Sequence, residues 1–235
     1  MKRLISAAIA TILAVSAALP TYGSDFFDTS VAERTFNIGL RAGFNTSNTT
    51  MKTPPYAVWN NSAWGLGGNF GVVADINFRE WLTVQPGIFF DIRNNKYNMA
   101  YMWVNPNEDD LQHRVSVGSA RRGSITIPLL ASVRFNISDN LRWLVEAGPY
   151  YRIQFGNDEY TEVLTSSSLT PSGEPDFITP KLRKGELGLK IGSGLLLNRH
   201  YYIGVHYLAG FSSPFSTSGM GGSNKSWTFT LGYDF

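Results

Sequence analysis

The sequence predicts an all-β fold: an eight-stranded antiparallel transmembrane up-and-down β-barrel. Three observations predict it. Apolar residues recur at every second position over long stretches, the connections alternate between short and long, and charge is scarce. Charged residues make up 16% of the 235, against roughly 25% in an ordinary soluble domain, while aromatics reach 14%. A surface of that composition faces something less polar than water. Mean hydropathy is nevertheless −0.11, too polar for a bundle of membrane helices, so the apolar residues must be interleaved with polar ones.

The chain opens on Lys2 and Arg3, then runs through apolar and small residues from Leu4 to Leu19, followed by Pro20 and Gly23. This is the layout of a cleavable signal peptide, with cleavage expected after Gly23 or Ala18. The run falls short of the ~20 residues a membrane-spanning helix needs. Residues 1–23 are therefore expected to be a signal peptide and 24–235 the barrel domain of an exported protein. The absence of cysteine excludes a disulfide framework, a cysteine nucleophile, thiolate metal sites and a lipoprotein anchor. A net charge of +2 without any Lys/Arg run gives no nucleic-acid partner.

Period-two alternation places one apolar row and one polar or small row on each strand. In the first strand Phe36, Ile38, Leu40, Ala42 and Phe44 alternate with Asn37, Gly39, Arg41, Gly43 and Asn45. The second carries Trp64, Leu66, Phe70, Val72 and Ile76 against Asn69, Gly71, Asp75 and Asn77. After a turn at Arg79-Glu80 the third sets Leu82, Val84, Ile88, Phe90 and Ile92 against Thr83, Gln85, Asp91 and Arg93. The fourth has Ile125, Ile127, Leu129, Val133 and Phe135 against Thr126, Ser132 and Arg134. A turn at Ser138–Asn140 leads to Leu141, Trp143, Val145, Tyr151 and Ile153 opposite Arg142, Glu146, Arg152 and Gln154. The sixth sets Leu187, Leu189, Ile191, Ser193 and Leu195 against Glu186, Lys190 and three glycines. Tyr201–Phe211 and Trp227–Phe235 complete the eight, each about 10 to 15 residues long, near the length that crosses a bilayer when tilted.

The connections expected after strands two, four and six are tight turns. Those after strands one, three, five and seven are long: 46–63, 94–122, 156–184 and 212–225. Short turns on one side and long loops on the other are the pattern of outer-membrane barrels, with the long loops outside the cell. The second row is read as lumen-facing because it is largely Gly, Ser, Thr and Asn; a soluble sandwich or lipocalin-like barrel would carry its charges there. Trp64, Phe78, Trp81, Trp143, Tyr201 and Tyr233 lie near strand ends, where interfacial girdles are expected. The third strand is also open to continuing through Tyr97, Met99, Tyr101 and Trp103 as a protruding hairpin.

The lumen row carries Arg41, Asp75, Asp91, Arg93, Arg134, Glu146, Arg152, Glu186, Lys190, His206 and Asp234. An eight-stranded barrel is only just wide enough for its own side chains, and ions confined there must pair. The expected lumen charge cluster is Arg41, Glu146, Lys190, Arg152, Asp91 and Arg93, with Arg41, Glu146 and Lys190 forming its salt-bridge centre. It reads as a structural plug, or else as a narrow gated ion path. No catalytic residue is expected. His113 falls in a long loop, His200 at a turn and His206 in the lumen, and Ser193 is an isolated serine on the lipid face. Gly65/Gly67 and Gly192/Gly194 are small lumen residues, not a phosphate cradle. No His/Asp/Glu group has metal-ligand spacing, and no cofactor is expected.

The last strand, Trp227-Thr-Phe-Thr-Leu-Gly-Tyr-Asp-Phe235, resembles the C-terminal signal read by the barrel-assembly machinery. Tyr233 and Phe235 match that signal, while Thr230 stands where a glycine is often found. Phe36-Asn-Ile-Gly-Leu-Arg-Ala-Gly-Phe-Asn45, Leu82-Thr-Val-Gln-Pro-Gly-Ile88, Ile125-Thr-Ile-Pro-Leu-Leu130 and Glu186-Leu-Gly-Leu-Lys-Ile-Gly-Ser-Gly194 are similar to elements of the PorT-like outer-membrane β-barrel family, whose architecture is that of the OmpA/OmpX-type barrels. Ser124-Ile125-Thr126 departs from that family's aromatic-Leu-Glu start to strand four. The resemblance implies the fold and the outer-membrane location; one branch of the family is linked to protein secretion.

The expected role is structural or interactive, with exposed loops or the periplasmic rim binding partners. A small porin-like channel is the alternative, and a lipid-modifying barrel enzyme the third reading. The expected partners are outer-membrane lipid and lipopolysaccharide, the barrel-assembly machinery during insertion and a protein partner at the loops. The barrel is expected to be a monomer.

Overall fold

The computed structural model describes residues 26–52, 57–104, 111–156, 158–164, 183–214 and 221–235. The expected signal peptide, 1–23, and residues 165–182 of the expected loop 156–184 lie outside the described residues. Among the described residues there are ten strands and no helix: β1 Phe36–Lys52, β2 Ala57–Ala63, β3 Gly65–Arg79, β4 Leu82–Val104, β5 Leu111–Ser138, β6 Leu141–Phe155, β7 Asp158–Leu164, β8 Gly185–Leu197, β9 Tyr201–Gly210 and β10 Gly221–Asp234.

Eight of them close a barrel. The wall runs β4-β3-β1-β10-β9-β8-β6-β5, and β5 returns to β4. Every pairing is antiparallel, and the seam joins β1 to β10 from Gly39↔Asp234 to Lys52↔Gly221. The alternating burial follows the period-two rows. Leu66, Phe70, Val72, Ile88, Leu129, Leu187, Ile203 and Leu231 are exposed on the outer face, while Asp75, Asp91, Glu146, Glu186 and Lys190 are buried on the inner one. This inversion, apolar out and ionic in, is what a lipid solvent selects.

Two expectations about the strands need correction. Two of the four stretches read as loops are largely strand. β1 and β2 occupy most of 46–63, and β4 and β5 stay paired from Asn94↔Arg121 up to Val104↔Leu111. β2 pairs along the upper part of β4, Ala63↔Lys96 to Ala57↔Tyr101, and β7 along β5, Ala120↔Asp158 to Arg114↔Leu164. A four-stranded sheet, β2-β4-β5-β7, therefore stands on the barrel. At ~3.3 Å per residue its central hairpin reaches about 35 Å beyond Arg93. The protruding hairpin to which the alternation of Tyr97, Met99, Tyr101 and Trp103 left the third strand open is present, and β2 and β7, which carry no such row, flank it. His113, expected in a loop, lies in β5 opposite Met102.

The second correction concerns the inner row, which is more apolar than its Gly, Ser, Thr and Asn content suggests. Val73, Phe89, Leu130, Leu144, Tyr150, Leu196, Tyr202 and Leu208 are all buried there. Apolar side chains in a closed lumen bury against one another and need no lipid.

At the short-turn end, residues 26–35 lie as a strap along the rim. Phe26 stacks on Phe135 (5.3 Å), Phe27 packs on Trp81 (4.8 Å), and the Asn136 amide donates to the Phe26 carbonyl. The strap then meets the β3–β4 turn, where the Glu80 amide donates to the Ser30 carbonyl and the Glu33 amide to Glu80 Oε1 at 2.8 Å. Glu33 also pairs with Arg199 of the β8–β9 turn, where Asn198 and Arg199 both take positive φ (51° and 60°). Glu80 in turn reaches Arg142 at 2.8 Å.

Burial alone would raise the pKa of Glu80, but the Glu33 amide and the Arg142 guanidinium outweigh it and hold the carboxyl below its ordinary value. A carboxyl depressed in the folded state contributes stability above its unfolded pKa, about 4.3, and loses it as pH falls through the folded value. Acidification from pH 6 to pH 3 is therefore expected to loosen the strap. Hydrogen exchange at the Glu33 amide, corrected for the intrinsic pH dependence, should accelerate in the wild type, and Glu80→Gln should show little further change.

Candidate functional site

The lumen is filled in three storeys. Nearest the short turns, Arg134 Nη2 meets Asp75 Oδ2 at 2.6 Å and Arg134 Nη1 donates to Asn77 Oδ1 at 3.0 Å. Gln85 donates to Asp75 Oδ1 (2.7 Å) and Thr83 to Asn77 (2.7 Å). Arg41 pairs with Asp234 across the seam at 2.6 Å. Below these ions a cavity of about 190 Å³ opens at the rim, lined by Glu33, Arg34, Glu80, Arg142, Arg199 and His200 among others.

At mid-height Tyr202 donates its hydroxyl to Glu146 Oε2 (2.5 Å), and His206 Nε2 lies 2.8 Å from the same oxygen. Gly192 is directly opposite His206, and a Cβ there would overlap the imidazole; the glycine leaves the ring its place. The Arg41 guanidinium sits over the Tyr202 ring at 4.3 Å, and the Lys190 ammonium over Phe89 at 4.7 Å, each a cation–π contact. Leu144, Leu196 and Tyr202 pack as one apolar cluster.

The outer storey is centred on Glu186. Its Oε1 accepts from Arg152 Nη1 (2.8 Å) and from Tyr150 (2.5 Å); its Oε2 accepts from Gln154 (3.4 Å) and Asn224. Arg152 Nε donates to Thr126 (3.0 Å), whose hydroxyl donates to Asp91 Oδ2 (2.5 Å). Arg93 donates to Gln154 Oε1 at 2.7 Å.

Among the expected cluster residues, Arg41 and Glu146 meet through Tyr202. Arg152 and Asp91 meet through Thr126, and Arg93 joins Arg152 through Gln154 and Glu186. Lys190 has an aromatic ring as its close neighbour. Each carboxylate of the expected set takes a partner outside it, such as Tyr202 and His206 for Glu146. Reading every second residue without exception would have found Arg122, Tyr150 and Tyr202, which share the inner parity of Ser124, Arg152 and His206. At the seam end Tyr233 stacks on His200 (5.4 Å) and meets Phe235 edge-on (5.2 Å), while the Phe235 amide donates to the Ile38 carbonyl.

Ser193 and His200 each hold hydrogen bonds within the wall and its turns. Ser193 Oγ accepts from Trp143 Nε1 (2.7 Å) and donates to the Leu144 carbonyl (3.0 Å). His200 Nδ1 lies 2.6 Å from the Asp234 carbonyl oxygen. At each storey buried ionic side chains hold one another by hydrogen bonds.

Residues 24–216 match the family model described as outer membrane protein beta-barrel domain. A search of the curated proteins finds no match. Among solved structures the chain is similar to OprG from Pseudomonas aeruginosa, at 14% identity and TM-score 0.43, covering 91% of this chain and 99% of that one. It is also similar to Neisserial surface protein A, at 8% identity and TM-score 0.41, covering 86% and 96%. A third is Ail, the attachment invasion locus protein of Yersinia pestis, solved with the heparin analogue sucrose octasulfate, at 14% identity and TM-score 0.38, covering 86% and 100%.

Proposed function

This chain belongs to the outer membrane protein beta-barrel domain family, and from that membership we propose that it is a plugged barrel whose work is done by the sheet it raises above the outer membrane. The observation that carries the reading is the β2-β4-β5-β7 sheet. β4 and β5 run 23 and 28 residues, about twice what a bilayer crossing takes, and they are widened on both sides. Paired backbone held so far out is more than crossing the bilayer requires. A sheet of that kind offers strand edges and a broad face, the surfaces by which extended partners are taken up.

The filled lumen supports the plug. Glu146, Leu130, Leu144 and Tyr202 are all buried at mid-height, and buried ions held by hydrogen bonds do not move aside cheaply. The reading includes no catalytic step. It also takes residues 1–23 as a cleaved leader and the barrel as a monomer. Lipopolysaccharide and phospholipid cover the outer face, and Tyr233 and Phe235 serve the assembly machinery. The PorT-like resemblance makes secretion one context in which such a sheet would bind its partner.

Two measurements test the reading together. Refolded 24–235 in a planar bilayer should give no discrete conductance steps although inserted; reproducible steps altered by Glu146→Ala would favour the channel instead. A photo-cross-linker in the raised sheet of living cells should give a discrete protein adduct. A variant in which a short turn replaces 95–119 should keep the heat-modifiable barrel and lose that partner. Retention of the partner by the trimmed barrel would move the function to the periplasmic rim.

A further inference from the structure

On the lipid face of the wall a trough of about 570 Å³ crosses neighbouring strands from Trp143 of β6 to Phe44 of β1. The register sets its two sides. Leu195, Ile203 and Leu231 stand directly opposite one another across β8, β9 and β10, and all three are exposed. The adjacent outward row is Ser193, Val205 and Phe229, continued by Phe44 on β1. Ser193 and Val205 are the short members of that row and are half-buried beside exposed Leu195 and Ile203, so the wall is hollowed there. Trp143 bounds one end, and Phe44 stacked on Phe229 at 4.8 Å bounds the other.

A serine facing hydrocarbon is the exception in these rows, and its polarity is spent on the wall. Its hydroxyl donates to the Leu144 carbonyl (3.0 Å) and accepts from Trp143 Nε1 (2.7 Å). A tryptophan at a membrane surface usually keeps its N–H toward the wet side. Here the N–H turns into the wall, and the ring is left to border the trough. No charged side chain lines it.

The surrounding medium decides what fills such a hollow. Ser193 lies four residues above Leu197, where β8 ends, roughly 13 Å along the strand at ~3.3 Å per residue. That depth is inside the apolar belt, about 25 Å tall, on its short-turn side. A second copy related by a two-fold axis would set trough against trough and leave both unfilled. A methylene takes about the room of a water molecule, roughly 30 Å³, so the volume suits about one acyl chain. On the convex wall a chain touches protein along one side; in the trough it is touched from the floor and both sides, and the dispersion contacts add.

We propose that this trough is a binding site for one acyl chain of a phospholipid from the leaflet on the short-turn side, retained when the surrounding lipid exchanges. The site is independent of what the raised sheet binds.

The probe is dioleoylphosphatidylethanolamine, added to the refolded barrel in detergent micelles and followed by native mass spectrometry. One phospholipid per barrel is expected to stay bound after the loosely held lipid has been stripped. Val205→Phe fills the trough without touching the Ser193 bonds, and it should lower the lipid-bound fraction on the order of tenfold through the contacts it displaces. Ile203→Ala lowers one side and should reduce retention roughly threefold, which keeps the test decisive if Val205→Phe fails to give a heat-modifiable barrel. Leu129→Phe, on the same lipid face but outside the trough, should leave the bound lipid in place. Absence of retained lipid, or equal retention in the wild type and both trough variants, overturns the site. Equal loss in Leu129→Phe also overturns it, since the lipid would then be bound anywhere on the wall. A dimer that Val205→Phe dissociates would give the trough to a second copy and overturn the lipid.

Discussion

Glu186→Ala is expected to destabilise the barrel by about 3–5 kcal/mol, the loss typical of removing one partner from a buried ion pair. The size follows from what the carboxylate holds. Arg152 is 2% exposed and points one nitrogen at Glu186 Oε1, the oxygen that also takes the Tyr150 hydroxyl. Alanine leaves a guanidinium, a phenol and two amides facing a void inside a closed wall. Urea unfolding in phospholipid vesicles measures it. Glu186→Gln keeps an acceptor and should lose less. Glu186→Ala combined with Arg152→Met should recover much of the loss, because exchanging a buried pair for apolar side chains is often neutral. Additive losses in the double variant would mean that Arg152 is held by something other than Glu186.

Val72→Arg is expected to cost about 2–4 kcal/mol, the figure for a cation on the lipid face near the bilayer midplane. Val72 sits midway along β3, exposed at 46%, with Val73 beside it buried at 2%. In a soluble protein an arginine at a half-exposed site is nearly free, so the size of the penalty reports the solvent. Phe78→Arg, at the turn end of the same face, should cost no more than about 1 kcal/mol, since the penalty fades toward the interface. Equal costs at the two positions would place β3 differently in the membrane.

The wall of the barrel was legible because lipid on one side and a filled lumen on the other impose an alternation that Leu66–Ile76 or Leu187–Leu197 write out residue by residue. The tight turns were legible for the same reason, as the places where alternation breaks. Of the raised sheet only the hairpin through Tyr97, Met99, Tyr101 and Trp103 was legible; β2, β7 and the upper half of β5 are beyond the lipid and carry no comparable row. The lumen ions were visible as residue types at inner positions, but their partners were not. Whether Arg41 meets Asp234 or Glu146 depends on the stagger between β1 and β10, which no local pattern encodes. Tyr150 and Tyr202 were overlooked for a different reason. An aromatic in a membrane barrel suggests an interfacial girdle, and only strict counting from Arg152 and His206 turns these two inward.

One pairing sets the tempo at which this barrel comes into being. Every neighbouring pair in the wall joins successive wall strands except β1 and β10, whose partners run from Gly39↔Asp234 to Lys52↔Gly221 and so lie far apart in sequence. Contacts between such distant segments reward the chain last, after all intervening loops have been ordered. Until then the nascent sheet has two bare edges, the form in which strands recruit wrong neighbours. Arg41 with Asp234, Phe44 stacked on Phe229 at 4.8 Å and the Phe235 amide on Ile38 lie along that closing line. Changes there act first on how long the barrel stays open, and so on how much of it survives assembly, even where the finished molecule is barely weakened.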